Sequence, residues 1–258
     1  MINKIKKIIS KKNKTKIICL TAYSKNFATE VDKYADITLV GDSLGSVLYN
    51  YKTTRKVTLS NMIEHSKSVR LGIKKSLMVV DMPYKTYQNK KAALKNAIKV
   101  IKETKCDAVK LEGGSKIKKI IKYLVRNNVP VMGHIGVLPQ SVKGKFKYKG
   151  KIEREKKQLL NDANLLQDLG VFSIVLECVK SDTAQMITKS IKIPTIGIGS
   201  SKYCDGQVLV TDDLLGLNET KIRFVKKFVN LKKFINQGLK KFRKEVIYKK
   251  YPSKKYSY

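Results

Sequence analysis

The sequence predicts an α/β protein of the (β/α)8 TIM-barrel class folded as a single domain. Eight short, β-branched apolar runs recur along its 258 residues, and amphipathic segments separate several of them. The runs are almost continuously hydrophobic, as parallel strands covered on both faces are. Eight such strands alternating with helices over this length point to a closed barrel rather than an open sheet. The rival doubly wound sheet lacks its marks: no GxGxxG follows the first run and no Walker loop is present.

The strand-like runs are Ile17–Leu20, Ile37–Val40, Leu77–Val80, Ala108–Leu111, Val129–Met132, Phe172–Leu176, Pro194–Ile198 and Gln207–Val210. Helical periodicity runs through Leu59–Gly72 with Ser60 as N-cap, then through Asn89–Lys105, Ser115–Asn127, Glu153–Leu169 and Asp182–Ser190. Gly170 suits the position just past a helix end. The Gly/Lys-rich stretch Lys143–Lys151 reads as a mobile loop, and from about residue 221 the chain reads as a basic helical extension.

Lys and Arg total 55 against 20 Asp and Glu, a formal net charge of +35. Such a balance raises nucleic acid or an anionic surface as a partner. The excess is nearly all Lys, however, with Arg at only six positions, and it is spread along the chain without a basic arm. Specific nucleic-acid readout leans on Arg forks and stacked aromatics, so the charge reads as a solvated surface. No apolar run approaches the ~20 residues of a membrane span. The apolar stretch after the basic N-terminus, Ile17–Leu20, is too short for a signal sequence. Cys19, Cys106, Cys178 and Cys204 form no CxxC pair and no zinc spacing. They read as reduced thiols, with Cys19 and Cys178 mostly buried in strands, which fits a cytoplasmic protein.

Barrel enzymes carry their chemistry at the C-terminal ends of the strands. The polar residues there are Asp42, Asp81, Glu112, His134 and Glu177. Asp42, Asp81 and Glu112 end three consecutive strands, about 5 Å apart per strand. Three carboxylates so close raise one another's pKa unless a cation sits among them. An all-oxygen set suits Mg²⁺ or Mn²⁺ rather than zinc. A single Asp in such a loop is better read as a cap or turn; three in register are better read as a site. Lys110 precedes Glu112 by two residues and shares its face of the strand. It either meets a substrate anion or pairs with one of the acids. Glu177, across the mouth, is the candidate general base. His134 alone is more economically a core histidine. Together these residues describe a metal-bound anion whose α-proton Glu177 removes, with the resulting enolate held by the metal and Lys110. Aldol-type addition, enolisation and C–C cleavage all remain open at this point.

Several motifs resemble those of the ketopantoate hydroxymethyltransferase family, in collinear order over nearly the whole chain. They are Leu20–Tyr23, Leu39–Gly45, Val79–Pro83, Ala108–Gly114, Pro130–Gly136 with Leu138–Val142, Val175–Val179, Ile193–Gly199, Asp205–Val210 and Tyr251–Ser253. The resemblance implies a cytosolic barrel enzyme assembled as a homo-oligomer, a decamer, acting on small molecules and binding neither a membrane nor a specific nucleic acid. It implies transfer of a hydroxymethyl group from 5,10-methylenetetrahydrofolate to 3-methyl-2-oxobutanoate, giving ketopantoate for pantothenate and coenzyme A synthesis. By the same resemblance Asp42, Asp81 and Glu112 surround Mg²⁺. Asp42, Ser43, Asp81 and Lys110 contact the keto acid. Glu177 accepts the C3 proton, and a Mg-stabilised enolate attacks the folate-derived carbon. The chain departs from the family's pattern at Arg55-Lys56, in the shortened loop around Phe146–Gly150, at Ser200-Ser201 and at Asp212. These departures bear on closure and folate binding rather than on the acids. A related barrel lyase would carry a Lys-Lys-Cys-Gly-His loop, which this chain lacks.

The distributed Lys predicts weak binding to duplex DNA that falls steeply with salt. Filter binding at physiological salt is expected to show no sub-micromolar retention; such retention would restore a nucleic-acid function.

Overall fold

The computed structural model describes residues 2–142, 147–219 and 222–258. Its chain divides into two compact units, residues 1–210 and 211–258. The first is a closed parallel barrel of eight strands in sequence order. They are β1 (Ile17–Thr21), β2 (Ile37–Val40), β3 (Leu77–Asp81), β4 (Ala108–Glu112), β5 (Val131–Gly136), β6 (Ser173–Glu177), β7 (Thr195–Ile198) and β8 (Gly206–Leu209), with β8 closing on β1. Its helices are α1 (Ile2–Ile9), α2 (Lys25–Val31), α3 (Leu44–Tyr49), α4 (Leu59–Arg70), α5 (Lys90–Thr104), α6 (Lys118–Arg126), α7 (Glu153–Asp168) and α8 (Ser181–Ser190). The second unit holds α9 (Thr211–Leu214) and α10 (Leu231–Ile247). No residue of α10 is buried, and its Phe234, Leu239 and Phe242 are exposed. Among the described residues no helix is long and apolar enough to cross a membrane.

Strand alternation sorts the core into two layers. Ile37, Leu39, Leu77, Val79, Ala108, Met132, Val175 and Ile196 point inward and fill the barrel. Their alternates Val40, Met78, Val80, Val109, Leu111, Val131, Ile174 and Leu176 face outward, among helix residues such as Met62, Ala97, Leu124 and Leu166. The same parity continues to the strand tops. Leu77 and Val79 lead to Asp81, Ala108 leads to Lys110 and Glu112, Met132 leads to His134, and Val175 leads to Glu177. An inward apolar floor thus places polar side chains in the next layers up, at the mouth.

Every expected strand is present; β2 has the expected bounds, and the other seven are shifted at one or both ends. β3, β4 and β6 include Asp81, Glu112 and Glu177, and β5 runs on through His134 to Gly136. Polar residues read from the sequence as strand ends are last or inward rungs, because neighbouring strands still pair there. Ser60 is not the N-cap of α4. Thr58 is, in a capping box with Asn61. Gly170 has φ +88° and follows the end of α7, as its position suggested. Cys19 is buried, but Cys178 is only half-buried and lies just beyond β6 with φ 48°. The basic N-terminus folds as α1, whose Ile8 is buried against the inward core. Of the loop at 143–151, residues 143–146 lie outside the described residues, as do 220–221 at the expected start of the tail.

At the opposite end of the barrel Asp32 pins the entry to β3. Its carboxylate accepts backbone N–H from Lys74, Lys75 and Ser76 and the Ser76 hydroxyl. Burial alone would raise its pKa, but the bonds from Ser76, Lys74 and Lys75 overcome this and hold it below the usual value. A depressed carboxyl stabilises the fold above its unfolded pKa of about 3.9 and loses that contribution as pH falls through the folded value. Asp32→Ala is therefore expected to cost about 1–3 kcal/mol at pH 7 and progressively less on acidification. Urea unfolding across pH checks both; an equal cost at pH 7 and pH 2 contradicts the assignment.

Candidate active site

The register of β3, β4, β5 and β6 decides which side chains meet. Asp81 pairs with Lys110, Glu112 with His134, and Gly136 with Glu177. Lys110 Nζ lies 2.7 Å from Asp81 Oδ1, with both side chains almost wholly buried. Of the two readings of Lys110, the ion pair is the one present in this state. Burial alone would lower the Lys110 pKa, but Asp81, Glu112 and Asp42 together raise it, so the ammonium persists.

Asp42 lies two residues beyond β2, where its backbone N–H donates to Asp81 Oδ2 at 3.1 Å. Burial, reinforced by the negative charge of Asp81, pushes its carboxyl up to about 7. Burial and the charge of Asp42 raise Glu112 well above the carboxylate range. Ser43 stands beside Asp42, its hydroxyl 2.9 Å from Tyr23 Oη. His134 is buried between two acids, with Nδ1 3.7 Å from Glu112 Oε1 and Nε2 3.2 Å from Glu177 Oε2. Neither nitrogen makes an aligned hydrogen bond. Burial and the positive charge of Lys110 lower its pKa, so the ring is neutral. Glu177 is the most open of the acids, its side chain 18% exposed.

Sequence reasoning missed Gln140. Its side chain is 3% exposed and ties the site together. Nε2 donates to Asp42 Oδ2 at 2.9 Å and to the Met82 carbonyl at 3.0 Å. Its backbone N–H donates to Glu112 Oε2 at 3.0 Å, and its Oε1 accepts from Tyr87 Oη at 2.5 Å. The available signal was its place in Leu138-Pro139-Gln140-Ser141, a polar side chain shortly after a strand top.

Asp42, Asp81 and Glu112 thus converge with Lys110, His134, Gln140 and Glu177. Three carboxylates and one ammonium leave two surplus negative charges when all are ionised, and these neighbouring acids add to the burial that raises Asp42 and Glu112. A divalent cation is the matching counter-charge, and carboxylate oxygens are the donors Mg²⁺ prefers. Among the described residues no three His, Cys, Asp or Glu side chains form a ready-made ligand cluster. Lys110 and Gln140 instead occupy oxygens of Asp81 and Asp42. That still fits Mg²⁺, which keeps several waters and uses one or two carboxylates.

Fold and site together define a (β/α)8-barrel enzyme whose chemistry lies at the C-terminal mouth. The family model for ketopantoate hydroxymethyltransferase matches residues 2–254, and the chain belongs to that family. It is 64% identical over 258 residues to 3-methyl-2-oxobutanoate hydroxymethyltransferase of Pelagibacter ubique (strain HTCC1062), covering 100% of both chains. It is 45% identical to the enzyme of that name from Rhizobium etli, over 92% of this chain and 88% of the relative. Among solved structures, phosphonopyruvate hydrolase in complex with oxalate and Mg²⁺ superposes with a TM-score of 0.61 at 9% identity over 80% of each chain. Phosphoenolpyruvate phosphomutase from Streptomyces platensis does so with 0.63 at 10% identity, over 95% of this chain and 86% of that one. At such identities these likenesses speak for the barrel alone.

Gln140→Ala strips Asp42, Met82 and Tyr87 of a buried partner at once. It is expected to lower unfolding stability by about 1–3 kcal/mol without abolishing the fold. Urea unfolding of the metal-free protein checks this, and a change within error would contradict the cross-linking role.

Proposed function

We infer that this chain transfers a hydroxymethyl group to 3-methyl-2-oxobutanoate, giving 2-dehydropantoate, with 5,10-methylenetetrahydrofolate as one-carbon donor and Mg²⁺ as cofactor. The observation that carries the reading is the meeting of an acidic cluster, a buried ammonium and an open carboxylate inside one barrel mouth. The family membership and the names of the 64% and 45% identical relatives support the same reaction.

Asp42, Asp81 and Glu112 would hold the ion, directly or through water. Bound there, it supplies a Lewis acid that polarises the keto acid's carbonyl and acidifies C3–H. Glu177 accepts the C3 proton on a carboxylate oxygen. Its neighbour His134, neutral and buried, leaves the carboxylate free of a strong cationic partner. Lys110 keeps a positive charge below the mouth, where it stabilises the developing enolate oxygen. Ser43, fixed by Tyr23, orients the substrate beside Asp42. The new C–C bond joins C3 to the donor's carbon, water supplies the hydroxyl oxygen, and tetrahydrofolate leaves. In this reading the protein works in the cytoplasm, as part of pantothenate and coenzyme A synthesis, and as a homo-oligomer. The exposed Phe234, Leu239 and Phe242 of α10 support assembly.

The test needs no folate. NMR in D₂O is expected to show Mg²⁺-dependent exchange of the C3 proton of 3-methyl-2-oxobutanoate. Glu177→Gln is expected to slow it by about 10²–10⁴-fold. No exchange by the wild type with metal present would overturn the substrate assignment.

A further inference from the structure

A cavity of about 560 Å³ opens beside the acidic cluster, outside the residues assigned above. Its inner wall is the top of β5 and the loop after β4, so it borders Glu112 through Gly114 and Glu177 through Gly136. Its outer wall is the first three turns of α7. Ile135, Leu138 and Leu159 make part of it apolar, while Lys116, Lys149 and Arg154 line it with cations.

The cavity also holds two carboxylates, but both are committed to backbone. Glu155 Oε2 accepts N–H from Gly150 at 2.9 Å and Lys151 at 3.1 Å. Asp162 Oδ1 accepts the Ser115 N–H at 2.7 Å. Gly114 permits that seat, since a Cβ there would fall on the Asp162 carboxyl. Among the described residues neither Lys116, Lys149 nor Arg154 forms an ion pair. The cavity therefore combines three cations without an acidic partner with an apolar part made by Ile135, Leu138 and Leu159. A ligand that fits is long, aromatic near the reacting atoms and anionic at its far end.

We propose that this cavity binds the p-aminobenzoyl-glutamate arm of the reduced folate donor, the ring against Leu138 and Leu159 and the glutamate carboxylates on Lys116, Lys149 and Arg154. The assignment rests on the reading of a folate donor given above. It places the donor's one-carbon unit over the mouth, because that carbon sits at the inner end of the arm. It also leaves the cationic edge free to take additional γ-linked glutamates.

The experiment compares wild type with the double variant Lys116→Ala/Arg154→Ala, and with Lys91→Ala/Lys95→Ala on exposed α5 positions as a control for total charge. The substrates are mono- and triglutamyl 5,10-methylenetetrahydrofolate. The site variant is expected to raise the KM for the donor by about fivefold or more, the scale of losing partly solvated ion pairs. Its kcat and its metal-dependent C3 proton exchange should stay at wild-type levels; the wild type is expected to prefer the triglutamate, and the site variant to lose that preference. Donor KM and glutamate preference unchanged in the site variant, or changed equally in the α5 control, overturns the cavity assignment while the donor stands. A wild type that exchanges the C3 proton but does not use the folate overturns the donor and the cavity together.

Discussion

The constraint on which the rest of the structure depends is the inward parity of the parallel strands. Once Leu77, Val79, Ala108, Met132 and Val175 fill the barrel, the next inward positions are fixed as Asp81, Lys110, Glu112, His134 and Glu177. A slip of one residue in any strand would turn its polar residue outward, against the helices, and its apolar alternate into the mouth. The apolar floor thus specifies the register, and the register specifies the site.

That placement carries a cost, and the surroundings show how it is met. Taking charges out of water is unfavourable unless each finds a partner. Lys110 is matched with Asp81 at 2.7 Å, Asp42 and Glu112 receive N–H groups from Gln140, and Asp42 donates its own N–H to Asp81. The compensation stops short of neutrality. Burial, with the charge of neighbouring acids added, makes the carboxyls bind protons more tightly, and Asp42 is pushed up to about 7. A cluster held slightly too negative is suited to a divalent cation.

The overall charge of +35 belongs to a different level of the structure. It is spread along helices and loops alike, and a few of its cations, such as Lys33, Lys67, Lys99 and Lys156, pair with nearby acids. Such pairs are worth little individually. Beside the mouth the acids of the cavity are bound to backbone N–H groups, which leaves its cations without an acidic partner.

The sequence by itself determined the barrel, because continuous apolar runs and helical periodicity are local properties that each segment carries alone. It also pointed to Asp42, Asp81, Lys110, Glu112 and Glu177, since strand-end position and period-two alternation can be read from neighbouring residues. The α4 cap was misread because Thr58 and Asn61 act as a reciprocal pair, and Ser60 between them has the right chemistry in the wrong place. Only the tertiary structure decided that Lys110 rests on Asp81, that His134 lies between Glu112 and Glu177, and that Gln140 clasps Asp42 from 98 residues away. Those contacts depend on which strands become neighbours and how a loop folds over them, and no local pattern encodes a distance across a closed barrel.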